Sequence, residues 1–307
     1  MTTTAPTSRP ESSPRRPVIT RIAVGVDGFP EGRDAAALGQ LFAAATEAKL
    51  MLVAVHSSAP LPVPRELSYS SLHDELKLEL HRVRDSLAPE ATPLMVTDLS
   101  VARALHHVVR RYDRDLLVVG SSRRGPEGRV RIGKRTRQLL CNCGCALAVA
   151  PRGFHVDPGR GLRRIGVGYD GSPESQSALA LAVSLATAAG ADLQVLAVVD
   201  DRLPLFGRSA LSPFVKDQWS EVIADEMEEV RAEAVAAGER IGALLDVGVA
   251  RGRPADALLA LSHDVDLLVI GSRRWGPTAR LLLGSTGEVL MHDAACAMLA
   301  VPRPVDP

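Results

Sequence analysis

The clearest chemistry in the chain lies in Gly271-Ser-Arg-Arg-Trp-Gly-Pro-Thr-Ala-Arg-Leu-Leu-Leu-Gly284-Ser285-Thr286. This stretch follows Asp266-Leu-Leu-Val-Ile270, an apolar run with the make-up of a buried parallel strand. A chain that leaves a strand through glycine and enters a helix N-terminus directs free backbone N–H groups at one spot. The partial positive charge there favours phosphate. Arg273, Arg274 and Arg280 add full charges. The segment reads as an anion cradle, a basic loop bracketed by Gly271 and Gly284.

The cradle occurs twice. Asp113 to Arg152 aligns without a gap on Asp264 to Arg303, with 17 of 40 positions identical, and Arg21-Ile-Ala-Val-Gly-Val-Asp27-Gly28 matches Arg164-Ile-Gly-Val-Gly-Tyr-Asp170-Gly171 at six of eight. The chain is therefore two copies of one domain-sized unit.

Composition narrows the classes. The 307 residues, 46% hydrophobic, suffice for two packed cores. Lys plus Arg equals Asp plus Glu at 36 each, and aromatics are 3%, so neither a global field nor a stacking surface favours nucleic acid. No apolar run approaches the ~20 residues that span a bilayer. With no signal-peptide pattern and only four cysteines, the chain is expected to be cytoplasmic and without membrane contact.

The elements that must position the cradle follow from periodicity. Residues 1–17 read as a disordered tail. In the first unit, 18–152, strands are expected at Ile19–Val26, Leu50–His56, Pro93–Thr97, Leu116–Val119 and Ala146–Ala150, with helices at Asp34–Ala48, Leu67–Leu87 and Val101–Arg111. A Pro-rich loop spans 59–64, and 153–162 is a linker. The second unit, 163–303, repeats the order: strands Ile165–Tyr169, Leu193–Val199, Leu244–Val249, Leu267–Ile270 and Ala297–Val301, and helices Glu174–Ala189, Val215–Glu239 and Ala255–Leu261. A loop lies near Arg202–Pro213. Alternating strands and helices predict an α/β fold of doubly wound five-stranded parallel sheets. In such sheets ligands sit beyond the strands' carboxyl ends, where strand order reverses. With order 3-2-1-4-5, Asp170 and Gly271 would face each other there. A carboxylate opposite a phosphate cradle suits a nucleoside phosphate, whereas Asp-Gly-Ser-Pro by itself is also good turn chemistry.

Val-Gly-Tyr-Asp170-Gly-Ser, Asp266-Leu-Leu-Val-Ile-Gly271-Ser-Arg, Leu-Leu-Leu-Gly284-Ser285-Thr286 and Ala-Cys296 before Val301-Pro resemble the universal stress protein family, over nearly the whole chain after residue 17. The resemblance implies two tandem 3-2-1-4-5 domains related by a pseudo-two-fold, their last strands paired, with homodimerisation as a further level of assembly. It also implies ATP, accompanied by Mg2+, held through a Gly-x-x-Gly, nine residues, Gly-Ser/Thr motif that only some members carry. By resemblance Gly168, Asp170 and the Leu196 backbone would hold the adenosine end, and Gly271, Ser272, Arg273, Arg274, Gly284, Ser285 and Thr286 the phosphates. The first-unit counterparts are Gly25, Asp27, Val53, Gly120, Gly133 and Lys134.

Both units depart from the pattern. Arg274 holds the second glycine position. If that position needs positive φ, a side chain there costs about 1–2 kcal/mol and an arginine–phosphate bond returns about 1.5–3 kcal/mol, so the two terms nearly cancel. In the first unit Arg123 replaces that glycine, Lys134-Arg135 replaces the hydroxyl pair, and the Gly252-Arg-Pro254 that opens the third helix gives way to Val101 and Arg103. The first-unit site is expected to be weaker or empty. Gly128-Arg-Val-Arg-Ile-Gly133-Lys134-Arg135 nearly spells a P-loop but lacks the hydroxyl that reaches Mg2+. Cys141, Cys143 and Cys145 read as structural thiols, and His106-His107, adjacent on a helix, as neither metal ligands nor a base. No nucleophile elbow or His-Glu-x-x-His is present. The reading is a non-catalytic, nucleotide-dependent stress regulator acting on an unidentified protein partner. A ligand-free interaction module and a slow ATPase are the alternatives.

Overall fold

The computed structural model describes residues 18–57, 69–140, 144–154, 161–201, 213–275 and 280–302. The predicted tail, the 59–64 loop, Cys141, Cys143, most of the linker and the loop from 202 to 212 lie outside them.

In the first unit the elements are β1 (Arg21–Val26), α1 (Pro30–Thr46), β2 (Lys49–Ser57), α2 (Tyr69–Leu87), β3 (Thr92–Asp98), α3 (Val101–Arg111), β4 (Leu116–Gly120), α4 (Lys134–Leu140) and β5 (Ala146–Ala150). The second unit has β6 (Arg164–Tyr169), α5 (Pro173–Ala189), β7 (Asp192–Val199), α6 (Pro213–Arg240), β8 (Asp246–Arg251), α7 (Pro254–Leu261), β9 (Leu267–Trp275), β10 (Arg280–Leu282), α8 (Ser285–Asp293) and β11 (Ala297–Pro302). Helices α1, α5 and α7 each begin on proline, whose fixed φ suits the first helical turn. This moves the start of α1 from the expected Asp34 back to Pro30.

The strands lie in the order β3-β2-β1-β4-β5-β11-β9-β6-β7-β8, which is 3-2-1-4-5 in each unit. Within each unit the neighbours are parallel, and β5 and β11 join antiparallel through Met298↔Val149, Leu299↔Ala148 and Ala300↔Leu147. One continuous sheet results, with a pseudo-two-fold at its centre. Because helices cover both faces, alternate side chains of each strand feed two separate apolar layers. Ile22 and Val24 pack with Leu38, Phe42, Leu179 and Leu185 from α1 and α5, with Leu80 and Val83 of α2 and Ala234 of α6 in the same layer. Ala23, Leu117 and Leu147 pack with Leu105 and Val108 from α3, Leu258 from α7 and Met291 from α8. Both layers cross the junction between the units.

The repeat extends to the foot of the sheet. The Asp115 carboxylate accepts hydrogen bonds from Thr20 N, Thr20 Oγ1 and Arg21 N at 2.9, 2.8 and 2.8 Å, and that of Asp266 accepts from Arg163 N and Arg164 N at 2.9 Å. Each aspartate, at the start of the fourth strand of its unit, pins the first.

Three expectations are corrected. Strand β8 starts at Asp246, because Leu244 is 99% exposed in the turn before it. The basic loop after Gly271 is a hairpin: β9 runs on to Trp275, and β10 returns with Arg280↔Trp275, Leu281↔Arg274 and Leu282↔Arg273. The ladder to β11 through Val301↔Gly271 and Pro302↔Ser272 keeps the chain extended past the glycine. Finally, α3 has Ser100 as its N-cap and α7 has Arg253, so Leu99 and Val101, rather than Val101 and Arg103, correspond to Gly252 and Pro254. The longer α3 absorbs the two-residue offset.

Candidate functional site

At the carboxyl ends of the central strands, each unit has a cavity where the strand order reverses. The second-unit cavity, about 230 Å³, is lined by Gly168, Asp170, Leu196, Gly271, Gly284, Ser285 and Thr286. Gly168 and Leu196 are paired across β6 and β7, Gly271 lies within β9, and the last three residues open α8. Ser272 is 1% exposed and does not line the cavity. Arg273 and Arg274 are on the hairpin, paired with Leu282 and Leu281. The sequence-based reading did not include Pro254, Leu258 and Leu290, which also line the cavity.

The two ends of this cavity differ in charge. At one end Asp170 Oδ1 accepts hydrogen bonds from the backbone N–H and the hydroxyl of Ser172, while Ser172 Oγ accepts from Ser175 N at 3.2 Å and caps α5. The expected turn chemistry is therefore present and holds a carboxylate at the rim. At the other end α8 begins with Gly284 as N-cap, at φ −68° and ψ 174°, with no side-chain cap. The first bond in that helix is Glu288 N to Gly284 O at 2.9 Å. The amides of Ser285, Thr286 and Gly287 precede it and have no intrahelical acceptor. A phosphate would supply what a capping serine supplies at α5.

The glycines have different physical origins. A Cβ on Gly271 would lie 2.5 Å from the carbonyl carbon of Glu174 and 2.8 Å from Ser175 N, so this glycine lets α5 approach β9. A Cβ on Gly284 would meet nothing within 4 Å among the described residues. Only the second position leaves open space toward the cavity. Below the rim Tyr169 is 3% exposed and its hydroxyl has no hydrogen-bond partner among the described residues. Burial, and then the Glu233 charge, raises its pKa above the ordinary 10.0, so it stays a neutral phenol.

The first-unit cavity is larger, about 890 Å³, and Gly25, Asp27, Val53, Gly120, Gly133 and Lys134 all line it. Gly120 is glycine for the same reason as Gly271: its Cβ would sit 2.1 Å from Glu31 O, on α1. Arg123, Arg124 and Lys134 add cations to the lining. The position of Ser172 is taken by Phe29, which leaves α1 without a side-chain cap. The Arg123 guanidinium lies 3.7 Å from the centroid of the Phe29 ring, a cation–π contact at the mouth. The replacement of serine by phenylalanine in Asp27-Gly28-Phe29-Pro30 was the visible signal, but its partner is distant in sequence.

Of the near-P-loop, Gly133 and Lys134 line the first cavity, whereas Cys145, His106 and His107 line neither. Cys145 and Cys296 are buried, and burial pushes the Cys296 thiol up to about 12. His107 is exposed on α3 while His106 is half-buried. Among the described residues no cluster of His, Cys, Asp or Glu could hold a metal ion, and no helix is long and apolar enough to cross a membrane.

Comparison with known proteins agrees with this architecture. A profile described as the universal stress protein family matches residues 19–151 and 161–302. The universal stress protein Rv2005c of Mycobacterium tuberculosis is 28% identical over 292 residues, covering 89% of this chain and 94% of the relative. A universal stress protein of Thermus aquaticus is 34% identical over 144 residues, 46% of this chain and 98% of that one. Among solved structures, a universal stress protein from Archaeoglobus fulgidus superposes with a TM-score of 0.64 at 17% identity, covering 92% of this chain and 98% of its own.

Proposed function

The chain belongs to the universal stress protein family, and we propose that it is a nucleotide-dependent regulator that binds ATP in the second unit and in the first, without turning it over. The observation that carries this reading is the second cavity, where a carboxylate faces an uncapped helix start. Asp170 would accept hydrogen bonds from the adenosine end, and Gly168 and the Leu196 backbone would form the wall beside it. The amides of Ser285, Thr286 and Gly287, with the Ser285 and Thr286 hydroxyls, would hold the phosphates. Mg2+ would arrive on the phosphates. Arg273 and Arg274, carried on the hairpin, would add charge.

In the first unit the roles would pass to Asp27 and to Lys134 and Arg124, with Arg123 resting on Phe29. Its volume falls within the ~300–1,000 Å³ of ordinary ligand clefts. Residues 18–152 and 163–303 are taken as the two domains, 153–162 as their linker, and the cytoplasm as the site of action. Occupancy would alter what a protein partner meets at the carboxyl edge of the sheet.

Calorimetry of the full chain with Mg-ATP tests this. The wild type should bind. Ser285→Ala, which removes one bond to a charged phosphate, should weaken the second site roughly 10- to 100-fold, the equivalent of about 1.5–3 kcal/mol. Absence of binding below millimolar ATP, or indifference to the substitution, refutes the reading.

A further inference from the structure

Helix α8 has its first turn at the second cavity and its last turn in the grip of the first unit. Val130 N donates to Ala294 O at 2.8 Å and Ile132 N to Met291 O at 3.0 Å, so the loop before α4 bonds to the carbonyls at the end of α8. Arg129 Nη1 donates to Asp293 O at 2.7 Å, and Arg137 Nη2 to His292 Nε2 at 3.1 Å. Val130 is fully buried and Ile132 5% exposed, in the same apolar cluster as Met291 and Ala294. The loop is fastened just as firmly to the first cavity. Ser122 N donates to Arg131 O at 2.7 Å, Arg131 N donates to Ser121 Oγ at 3.2 Å, and Gly133 and Lys134 follow directly. Ser121, Ser122, Gly133 and Lys134 all line that cavity.

We propose that α8 couples the two nucleotide sites, so that ATP in the second cavity orders the wall of the first and raises its affinity. This rests on the reading of the cavities as ATP sites. The sign follows from electrostatics. An anion at the positive end of a helix and N–H or guanidinium donors at its negative end stabilise the same dipole. Each polarises the hydrogen-bonded chain between them in the sense that favours the other. Ordering acts in the same direction: a helix fixed at its first turn presents fixed carbonyls at its last, and the 129–132 loop then loses less freedom when the first cavity fills.

The experiment is site-resolved amide exchange on the full chain with Mg-ATP. In Asp27→Ala, which disables the first cavity, loading the second should slow exchange at Val130 and Ile132 at least about five-fold, the lower end of typical coupling. Amides of β3, at the far edge of the sheet, should not change. Asp27→Ala/Asp170→Ala should show no slowing at all, and Lys134→Ala provides a second first-cavity variant. With the second cavity disabled by Asp170→Ala, Mg-ATP should bind the first cavity at least about five-fold more weakly than in the wild type. If Mg-ATP binds the second cavity and the two amides exchange as before, or slow only in step with β3, the coupling is refuted and the ATP reading stands. If wild type and Asp27→Ala take up no Mg-ATP, the ATP reading fails and the coupling fails with it.

Discussion

Replacing Gly284 by serine should make the protein more stable and a poorer nucleotide binder. The backbone there, φ −68° and ψ 174°, suits any residue, and a Cβ meets nothing within 4 Å among the described residues. Serine is a preferred N-cap, better than glycine by a few tenths of a kcal/mol. Removing a glycine also narrows the unfolded ensemble by about 0.4–1 kcal/mol where the native backbone accepts a side chain. The sum is a gain of about 0.5–1.5 kcal/mol, seen as a higher urea midpoint at unchanged slope. The new hydroxyl, however, takes the amide of Thr286 or Gly287 that a phosphate would use. Losing one charge-assisted bond of about 1.5–3 kcal/mol predicts roughly 10- to 100-fold weaker Mg-ATP binding by calorimetry. A stabilised variant that binds Mg-ATP as tightly as wild type would show that the start of α8 is not where the phosphates sit.

Two further outcomes follow from the packing. Gly271→Ala must drive α5 and β9 apart, since its Cβ would lie 2.5 Å from backbone of Glu174, and the urea midpoint should fall by the equivalent of about 1–3 kcal/mol. Gly133→Ala, whose nearest neighbour would be Ser122 Cβ at 3.7 Å, should be close to neutral, and equal losses at both positions would contradict the packing argument. Burial holds the Cys296 thiol at about 12 against 9.0 for the free group. The folded value is the higher one, so the neutral thiol stabilises the fold below pH 9 and that contribution fades as pH rises from there toward 12. At pH 8 iodoacetamide should modify Cys296 readily in urea and about a thousandfold more slowly in the native protein, with comparable rates arguing against its burial.

Much of this was legible in the residues. The strands announced themselves as apolar runs because helices cover both faces of the sheet, and the duplication fixed how often the pattern had to recur. Asp170, Gly284 and Ser285 were legible because a turn aspartate and a helix start are local chemistry. What was not legible depends on tertiary approach. Gly271 looks like a ligand glycine in sequence, yet the backbone it accommodates is that of Glu174, nearly a hundred residues earlier. Phe29 and Arg123 are similarly distant, and neither residue type alone suggests the stack. The hairpin of β9 and β10 was hidden because Arg-Arg-Trp reads as loop until its antiparallel pairing with β10 is seen to hold it extended. Leu244 shows the opposite failure, an apolar residue that propensity would place in a strand and the turn leaves in solvent.

The antiparallel seam between β5 and β11 has an evolutionary consequence. A dimer of identical single units must carry the same pocket twice, so any change at one is imposed on both. Joining the halves in one polypeptide removes that constraint, because the partner across the seam is always the other half. The two pockets can then differ, with Ser172 and Ser285 in one and Phe29 and Lys134 at the corresponding positions of the other, so a single chain presents two mouths of unlike size and charge.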